Sequence, residues 1–132
     1  MVAEEYVSFE TAKLLKEKGF KEITQGYINA DQEVYMRPFR QGVYELSDKR
    51  YPYPTQQMAM RWLREVHKLH INILYSEYLY GNEPFYWCIE RLNEKSVDKK
   101  TIKTSTATEE YTYGTYEEAV EAAIQYCLKN LI

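Results

Sequence analysis

The sequence predicts an α+β fold: a small antiparallel sheet accompanied by about three helices. Three observations support this class. Three segments combine helical apolar periodicity with a capping residue at the start, two segments alternate aromatic and aliphatic residues, and one short segment is rich in threonine. With 132 residues, the chain is predicted to form one globular domain over residues 1–132.

The first helix is signalled at both of its ends. Ser8 has the side chain of an N-cap residue, and Gly19 supplies the left-handed residue that commonly follows a helix. Phe20 then stands where it can pack back on Leu15. We expect a helix over Phe9–Lys18.

Residues 23–50 carry the weakest periodicity in the chain. Gln25–Asn29 and Glu33–Arg37 can pair as a short hairpin across the intervening polar residues. Pro38 would end the second strand or confine it to a sheet edge. One further short strand is expected around Gly42–Leu46.

The second helix is predicted over Thr55–Leu69. Pro54 favours an extended chain before it, and Thr55 can cap its first turn. Apolar residues then recur at spacings of three and four, which places them on one face of the helix. These residues are Ala59, Trp62, Leu63, Val66 and Leu69.

Three strands are expected after this helix, so the predicted order is helix, strand, strand, strand, helix. Ile71–Tyr80 alternates, a Gly-Asn-Glu-Pro turn follows, and Phe85–Leu92 alternates again. A polar loop then leads to a threonine-rich strand over Thr101–Thr108.

The last helix is predicted over Tyr116–Leu131. Thr115 and Glu118 form a capping box, and a broad apolar face follows them. From all these elements we predict a core that contains Trp62, Leu63, Val66, Trp87, Ile89, Ile124 and Leu128.

The composition excludes several classes of protein. Apolar residues make up 45% and charged residues 28% of the chain, and the formal net charge is −3, so no overall positive field attracts nucleic acid or anionic lipid. No apolar segment is long enough to span a membrane, and the N-terminus lacks the pattern of a signal peptide. We therefore expect a cytoplasmic protein. Cys88 and Cys127 are interpreted as small buried hydrophobic residues with no disulfide between them.

No constellation of catalytic residues is present. The sequence has no nucleophile motif, no glycine-rich phosphate loop and no metalloprotease motif. His67 and His70 stand three residues apart on the predicted helix, but a zinc site needs further ligands. We expect no enzymatic activity, no metal and no cofactor.

Tyrosine is the compositional outlier, with 14 residues against four phenylalanines. Tyr78, Tyr80, Tyr86 and Leu74 alternate onto one face of the predicted sheet. Tyrosine is enriched where proteins bind one another, so this face is a candidate surface for an unknown protein partner or for self-association. The alternative is that the first helix and residues 21–50 cover it.

A second function remains open, namely weak binding of nucleic acid. The tyrosine-rich sheet would act together with a lysine cluster on a hairpin. These residues are Lys95, Lys99, Lys100 and Lys103. The order helix, three strands, helix resembles double-stranded-RNA-binding domains in topology only, since the segment Tyr116–Glu121 carries acidic residues where such domains need basic ones.

Three motifs carry a resemblance to a known family. They are SFETAKLLKEKGF from Ser8, YPYPTQ from Tyr51 with WLREVH from Trp62, and TYEEAVEAAI from Thr115. The chain resembles a family of small uncharacterised proteins found in bacterial genomes, prophages and phages. The resemblance implies no activity and no site residue. Taken with the sequence, it predicts a non-enzymatic interaction or accessory module of a phage or mobile element.

Overall fold

The computed structural model describes residues 4–40, 49–76, 83–92, 100–105 and 112–132, and all structural statements concern these residues. They form α1 (Phe9–Glu17), β1 (Tyr27–Asn29), β2 (Val34–Tyr35), β3 (Arg50–Pro52), α2 (Gln56–His67), β4 (Leu69–Tyr75), β5 (Phe85–Arg91), β6 (Lys100–Thr104) and α3 (Tyr116–Asn130). The α+β class is confirmed, as is the order helix, strand, strand, strand, helix from α2 onward.

The strands form two separate antiparallel sheets of three strands each. In the small sheet the order is β2-β1-β3, so the predicted hairpin of β1 with β2 is confirmed, although both strands are shorter than expected. Strand β3 was not predicted. The strand expected around Gly42–Leu46 lies outside the described residues.

The large sheet has the order β4-β5-β6. The register of β4 with β5 runs from Leu69 opposite Arg91 to Tyr75 opposite Phe85. Strand β5 pairs with β6 and contains an irregularity after Ile89. The predicted strand Ile71–Tyr80 therefore begins two residues earlier than expected, and its last residues fall outside the described part of the chain.

All three predicted N-caps are confirmed. The side chains of Ser8, Thr55 and Thr115 each accept a hydrogen bond from the backbone N–H three residues on. Gly19 has φ of +88° after the end of α1, as a left-handed helix ending requires.

Helix α2 ends earlier than predicted. Lys68 adopts the left-handed conformation with φ of 57°, and Leu69 already belongs to β4. The prediction that Leu69 and His70 belong to this helix is therefore wrong. A left-handed residue terminates the helix and lets the chain reverse directly into the sheet.

The helices form a layer against the large sheet. Helix α2 packs on β4, and α3 packs on both β4 and β5. Helix α1 packs on α3 and on β3 of the small sheet, and Phe20 lies edge-on to Trp62 of α2, with ring centroids 5.3 Å apart. Helix α1 and Phe20 therefore pack on the helix layer.

The core prediction is confirmed except at Val66. Trp62, Leu63, Trp87 and Ile89 are buried, as are the core residues of α3. Val66 is 55% exposed. Val66 lies on the side of α2 that carries the core residues Trp62 and Leu63, but it is in the last turn of the helix. There it borders a groove of about 250 Å³ between α2 and Glu22.

The cysteines differ in their surroundings. Cys127 is fully buried, and this burial raises the pKa of its thiol to about 12. Cys88 is only half-buried, so the interpretation of both residues as core residues is wrong for Cys88. Cys88 and Cys127 are not joined by a disulfide. None of the described helices has the length and apolarity needed to cross a bilayer.

Candidate functional site

The outer face of the large sheet carries the predicted interaction residues that the structure describes. Leu74 of β4 lies directly opposite Tyr86 of β5, so these two side chains share one face. Ile73, Trp87 and Ile89 point to the helices, and Trp87 and Ile89 are fully buried. Tyr78 and Tyr80, the other two predicted contact residues, lie outside the described residues.

Aromatic side chains gather at the end of the sheet where β4 finishes. Tyr75 stands edge-on to Phe85, with ring centroids 5.4 Å apart, and Phe85 stands edge-on to Tyr116 at the start of α3, at 6.4 Å. Together with Leu74 and Tyr86 these residues form what we call the aromatic rim. Tyr75 is 61% exposed, Leu74 40% and Tyr116 39%.

Sequence reasoning missed the helix side of this rim. Phe85 and Tyr116 are far apart in the sequence, and their contact depends on how α3 returns to the sheet. Tyr113, just before α3, bonds with Phe85 through both backbone groups, at 2.8 and 3.1 Å, and this bridge brings the start of α3 to the end of β5. The capping box at Thr115 signals where α3 starts, but no local signal places that start beside Phe85.

A polar network lies further along the same outer face. The imidazole Nε2 of His70 lies 3.1 Å from the side-chain oxygen of Asn72, and the amide nitrogen of Asn72 donates to the carboxylate of Glu90. Because the Asn72 oxygen can only accept, Nε2 of His70 carries the proton. The three groups satisfy one another, so the network fixes the strands in register.

The histidines do not form the pair considered from the sequence. His67 is the last residue of α2, whereas His70 lies in β4 and bonds to Asn72. Burial lowers the pKa of His67, whose ring stands edge-on to Trp62 with centroids 4.7 Å apart. Within the described ranges, no group of three histidine, cysteine or acidic residues could hold a metal ion.

The lysines of the nucleic-acid alternative are only partly described. Lys100 and Lys103 belong to β6, at positions paired with Arg91 and Ile89 of β5. Lys95 and Lys99 lie outside the described residues. The first turn of α3 is acidic and exposed, as the sequence indicated.

The N-termini of all three helices meet at one carboxylate, a feature that sequence reasoning missed. Glu121, in the second turn of α3, accepts from the backbone N–H of Ser8 at 2.8 Å and from the hydroxyl of Thr11 at 2.6 Å. Its other oxygen accepts from the amide of Gln56, the first residue of α2, at 3.1 Å. We call Ser8, Thr11, Gln56 and Glu121 the helix junction.

The helix junction completes an unfinished capping box. In a complete box, an acidic or amide side chain at the third helical position returns to the N–H of the N-cap residue. In α1 that position is Thr11, whose side chain is too short, and Glu121 of α3 takes its place. The negative charge also lies where the positive ends of the three helix dipoles converge.

An open cleft of about 400 Å³ lies over the helix junction and is lined by further acidic residues, among them Glu5, Glu117 and Glu118. Its central carboxylate is already occupied by three donors within the protein. The cleft is therefore accounted for by helix capping, and we assign the helix junction a structural role.

Comparison of the chain with protein-family models, with curated proteins and with solved structures finds no match. The family resemblance of the three sequence motifs remains an expectation.

Proposed function

We propose that this protein is a non-enzymatic protein-interaction module and that it contacts its partner through the aromatic rim. The observation that carries the proposal is the exposure of Leu74, Tyr75 and Tyr116 at one end of the large sheet. Leu74 lies on the outer face of this end, whereas Tyr75, Phe85 and Tyr116 are in ring contact with one another on its helix side. Exposed apolar residues that are scattered singly need no explanation, whereas a contiguous group such as these three rings is typical of a binding surface.

The chemistry of the aromatic rim supports binding of a protein. Tyrosine offers a large, rigid apolar ring together with a hydroxyl that stays hydrated, and it is enriched among the residues that dominate interface energies. The ring contacts between Tyr75, Phe85 and Tyr116 hold the rim in one arrangement before binding. A preorganised surface loses less side-chain entropy when a partner docks.

The ionisable groups nearby support a binding role over a catalytic one. On the outer face, His70 and Glu90 are both engaged with Asn72. The exposed acidic turn of α3, which follows Tyr116, would repel a phosphate backbone, so we prefer a protein partner to nucleic acid. The assignment to a phage or mobile element rests only on the sequence resemblance.

Site-specific photo-crosslinking tests the proposal. A photoreactive phenylalanine analogue at Leu74 would be compared, in cells that naturally contain the protein, with the same analogue at Met36. Met36 is a matched control because it is 56% exposed and follows the small sheet.

We expect discrete adducts from position 74 and only diffuse background from position 36. Adducts in equal yield from both positions, or none from position 74, would contradict the proposal. The mass of a discrete adduct also reports whether the partner is a different protein or another copy of this chain.

A further inference from the structure

Two neighbouring cavities along α2 join into one groove. The cavity of about 250 Å³ near the end of the helix and a cavity of about 150 Å³ near its start share the side chain of Met58. The residues that α2 and its N-cap contribute to the walls recur at spacings of three and four, so they lie on one stripe of the helix. They are Thr55, Met58, Arg61, Trp62, Glu65 and Val66. From Thr55 to Val66 the helix rises about 16 Å. We call the joined cavities the α2 groove.

The α2 groove has apolar and aromatic walls. At its first end the rings of Tyr6 and Tyr53 stack with centroids 4.7 Å apart and planes only 6° apart, and Pro54 lies beside them. Ile23, which is 50% exposed, lines the same end, and Val66, which is 55% exposed, lines the other. The groove therefore offers apolar surface at both of its ends.

Trp62 brings an unused hydrogen-bond donor to this surface. Its ring is only 6% exposed and lines the groove, and its indole N–H has no acceptor among the described residues. In that same part of the chain, the one fully enclosed side-chain nitrogen or oxygen without a partner is Nε2 of His67, so the indole nitrogen of Trp62 is not fully enclosed. An indole N–H can only donate, and a ligand in the groove that offers a carbonyl oxygen would satisfy it.

The charges of the α2 groove favour a cationic ligand. Glu4 lines the first end, and Glu22 and Glu65 line the second. Among the residues that line the groove Arg61 is the only cation, and it is paired with Glu65 at 3.0 Å. Neither Glu4 nor Glu22 has an ion pair in the described part of the chain. Each end therefore carries one carboxylate that a cation of a ligand could pair with.

We propose that the α2 groove binds a proline-rich segment of a partner protein, with an arginine or lysine on each side of the prolines. Grooves lined by aromatic rings are the surfaces on which proteins recognise the polyproline II helix. That helix has no internal hydrogen bonds, so its carbonyl oxygens are open to a donor such as the indole of Trp62. It rises about 3.1 Å per residue, and about five residues span the 16 Å of the groove.

A polyproline helix also suits a groove that is shallow and partly open. Because the segment already has its bound conformation in solution, it loses little conformational entropy on docking, and a modest contact area is sufficient. None of the residues of the aromatic rim lines the α2 groove, so the two surfaces are independent.

Nuclear magnetic resonance of the ¹⁵N-labelled full chain tests the proposal. The probe is a synthetic peptide of about five prolines with an arginine at each end. The chain has two tryptophans, and the indole N–H of Trp87 donates to the hydroxyl of Tyr113 at 3.4 Å. Tyr113→Phe removes that acceptor and so identifies the indole signal of Trp87. We expect the peptide to shift the indole signal of Trp62 in a saturable manner and to leave that of Trp87 in place. No shift at Trp62 would overturn the proposal.

Two altered peptides test the chemistry of the ligand. One replaces both arginines with glutamates, and the other keeps the arginines but replaces the prolines with alternating glycine and serine. We expect each to bind weaker by about tenfold or more. If either peptide bound as tightly as the original, the groove would not recognise a basic proline-rich segment.

A pair of charge variants tests the groove itself. Glu4→Gln combined with Glu22→Gln removes the two unpaired carboxylates, and both residues are exposed, so the fold is retained. We expect the affinity for the arginine peptide to fall by about threefold to tenfold. Glu17→Gln is the matched control, because Glu17 is exposed on α1 and does not line the groove. Equal affinities of the double variant and the control would contradict the assignment.

Other occupants of the groove would be visible in the same experiment. A shift of the Trp62 indole signal with protein concentration, in the absence of peptide, would show that a second copy of the chain fills the groove. Tighter binding of a leucine-rich helical peptide with the same terminal arginines would identify a helix as the ligand. Either result would overturn the proposal. If the proline peptide binds while photo-crosslinking at position 74 yields no adduct, the proposed function fails and the α2 groove assignment stands.

Discussion

Replacing Glu121 should destabilise the fold far more than replacing any neighbouring acidic residue. Its carboxylate accepts from Ser8, Thr11 and Gln56, and these donors come from the starts of the two other helices. In Glu121→Ala the three donors lose their acceptor at once. Thr11 is fully buried, so its hydroxyl has the least access to replacement water.

The magnitude follows from the number and kind of bonds. A hydrogen bond to a charged group contributes about 1.5–3 kcal/mol, but Glu121 is half-buried, and water from the cleft can satisfy some of the donors. We therefore expect Glu121→Ala to cost about 3–4 kcal/mol, less than the sum of three separate bonds. Glu121→Gln keeps one acceptor oxygen but turns an amide toward the amide of Gln56, so we expect about 1.5–2 kcal/mol.

Urea unfolding followed by far-ultraviolet circular dichroism and by tryptophan fluorescence measures these losses, with the slope of the transition checked for constancy. Glu118→Gln is the matched control, because Glu118 is exposed in the first turn of the same helix and its charge contributes only about 0.3–1 kcal/mol there. If Glu121→Gln and Glu118→Gln lower the unfolding free energy equally, the helix junction does not hold the helices as argued.

Three further predictions concern α2 and the buried thiol. Trp62→Ala should cost about 3–5 kcal/mol in urea unfolding, whereas Val66→Ala should cost less than about 1 kcal/mol, and similar losses would show that both face the same environment. The lowered pKa of His67 in the folded protein means that the unfolded chain binds a proton first as the pH falls below about 6.5. Wild-type stability should therefore fall more steeply than that of His67→Gln between neutral pH and about pH 5.5, and an equal or shallower fall in the wild type would be inconsistent with this assignment. The thiol of Cys127, with a pKa of about 12, should not react with a thiol reagent in the native Cys88→Ser background until urea unfolds the chain, and rapid native labelling would show that it is accessible.

The helices could be predicted because their signals are local. Ser8, Thr55 and Thr115 each lie directly before an apolar periodic segment, and a cap acts within its own first turn. The error at the end of α2 has an equally local cause. Leu69 continues the helical spacing of apolar residues, so the pattern predicts that the helix goes on. The left-handed residue that ends the helix is Lys68 and not a glycine, so the usual sequence signal for a helix end is missing.

The small sheet was harder to predict because its formation does not depend on a periodic pattern of apolar residues. Its hairpin turn depends on Asn29, whose side-chain oxygen accepts from the N–H groups of Asp31 and Glu33 at 3.0 and 2.8 Å, and on a positive φ at Gln32. An asparagine that bonds to the following backbone favours such a turn, but the strands it joins are too short to show a pattern.

The helix junction could not have been predicted from the sequence. Glu121 lies on α3 among other acidic residues, and nothing in its neighbourhood distinguishes it from Glu117 or Glu118. Its partners Ser8 and Thr11 are more than a hundred residues away along the chain. The sequence does show that Thr11 stands in α1 at the position where a glutamate would complete a capping box. The importance of this difference is visible only once Glu121 is known to supply the missing carboxylate.

The question of what covers the large sheet links the fold to the proposed function. The sequence left two alternatives, an exposed tyrosine-bearing face or a face covered by the first helix and residues 21–50. Among the described residues, α1 packs on α3 and β3, and the helix junction ties its start to the starts of α2 and α3. These contacts place α1 in the helix layer. Leu74 and Tyr86 lie on the opposite face of the large sheet, so a protein that docks at the aromatic rim would meet side chains that lie away from the helix layer.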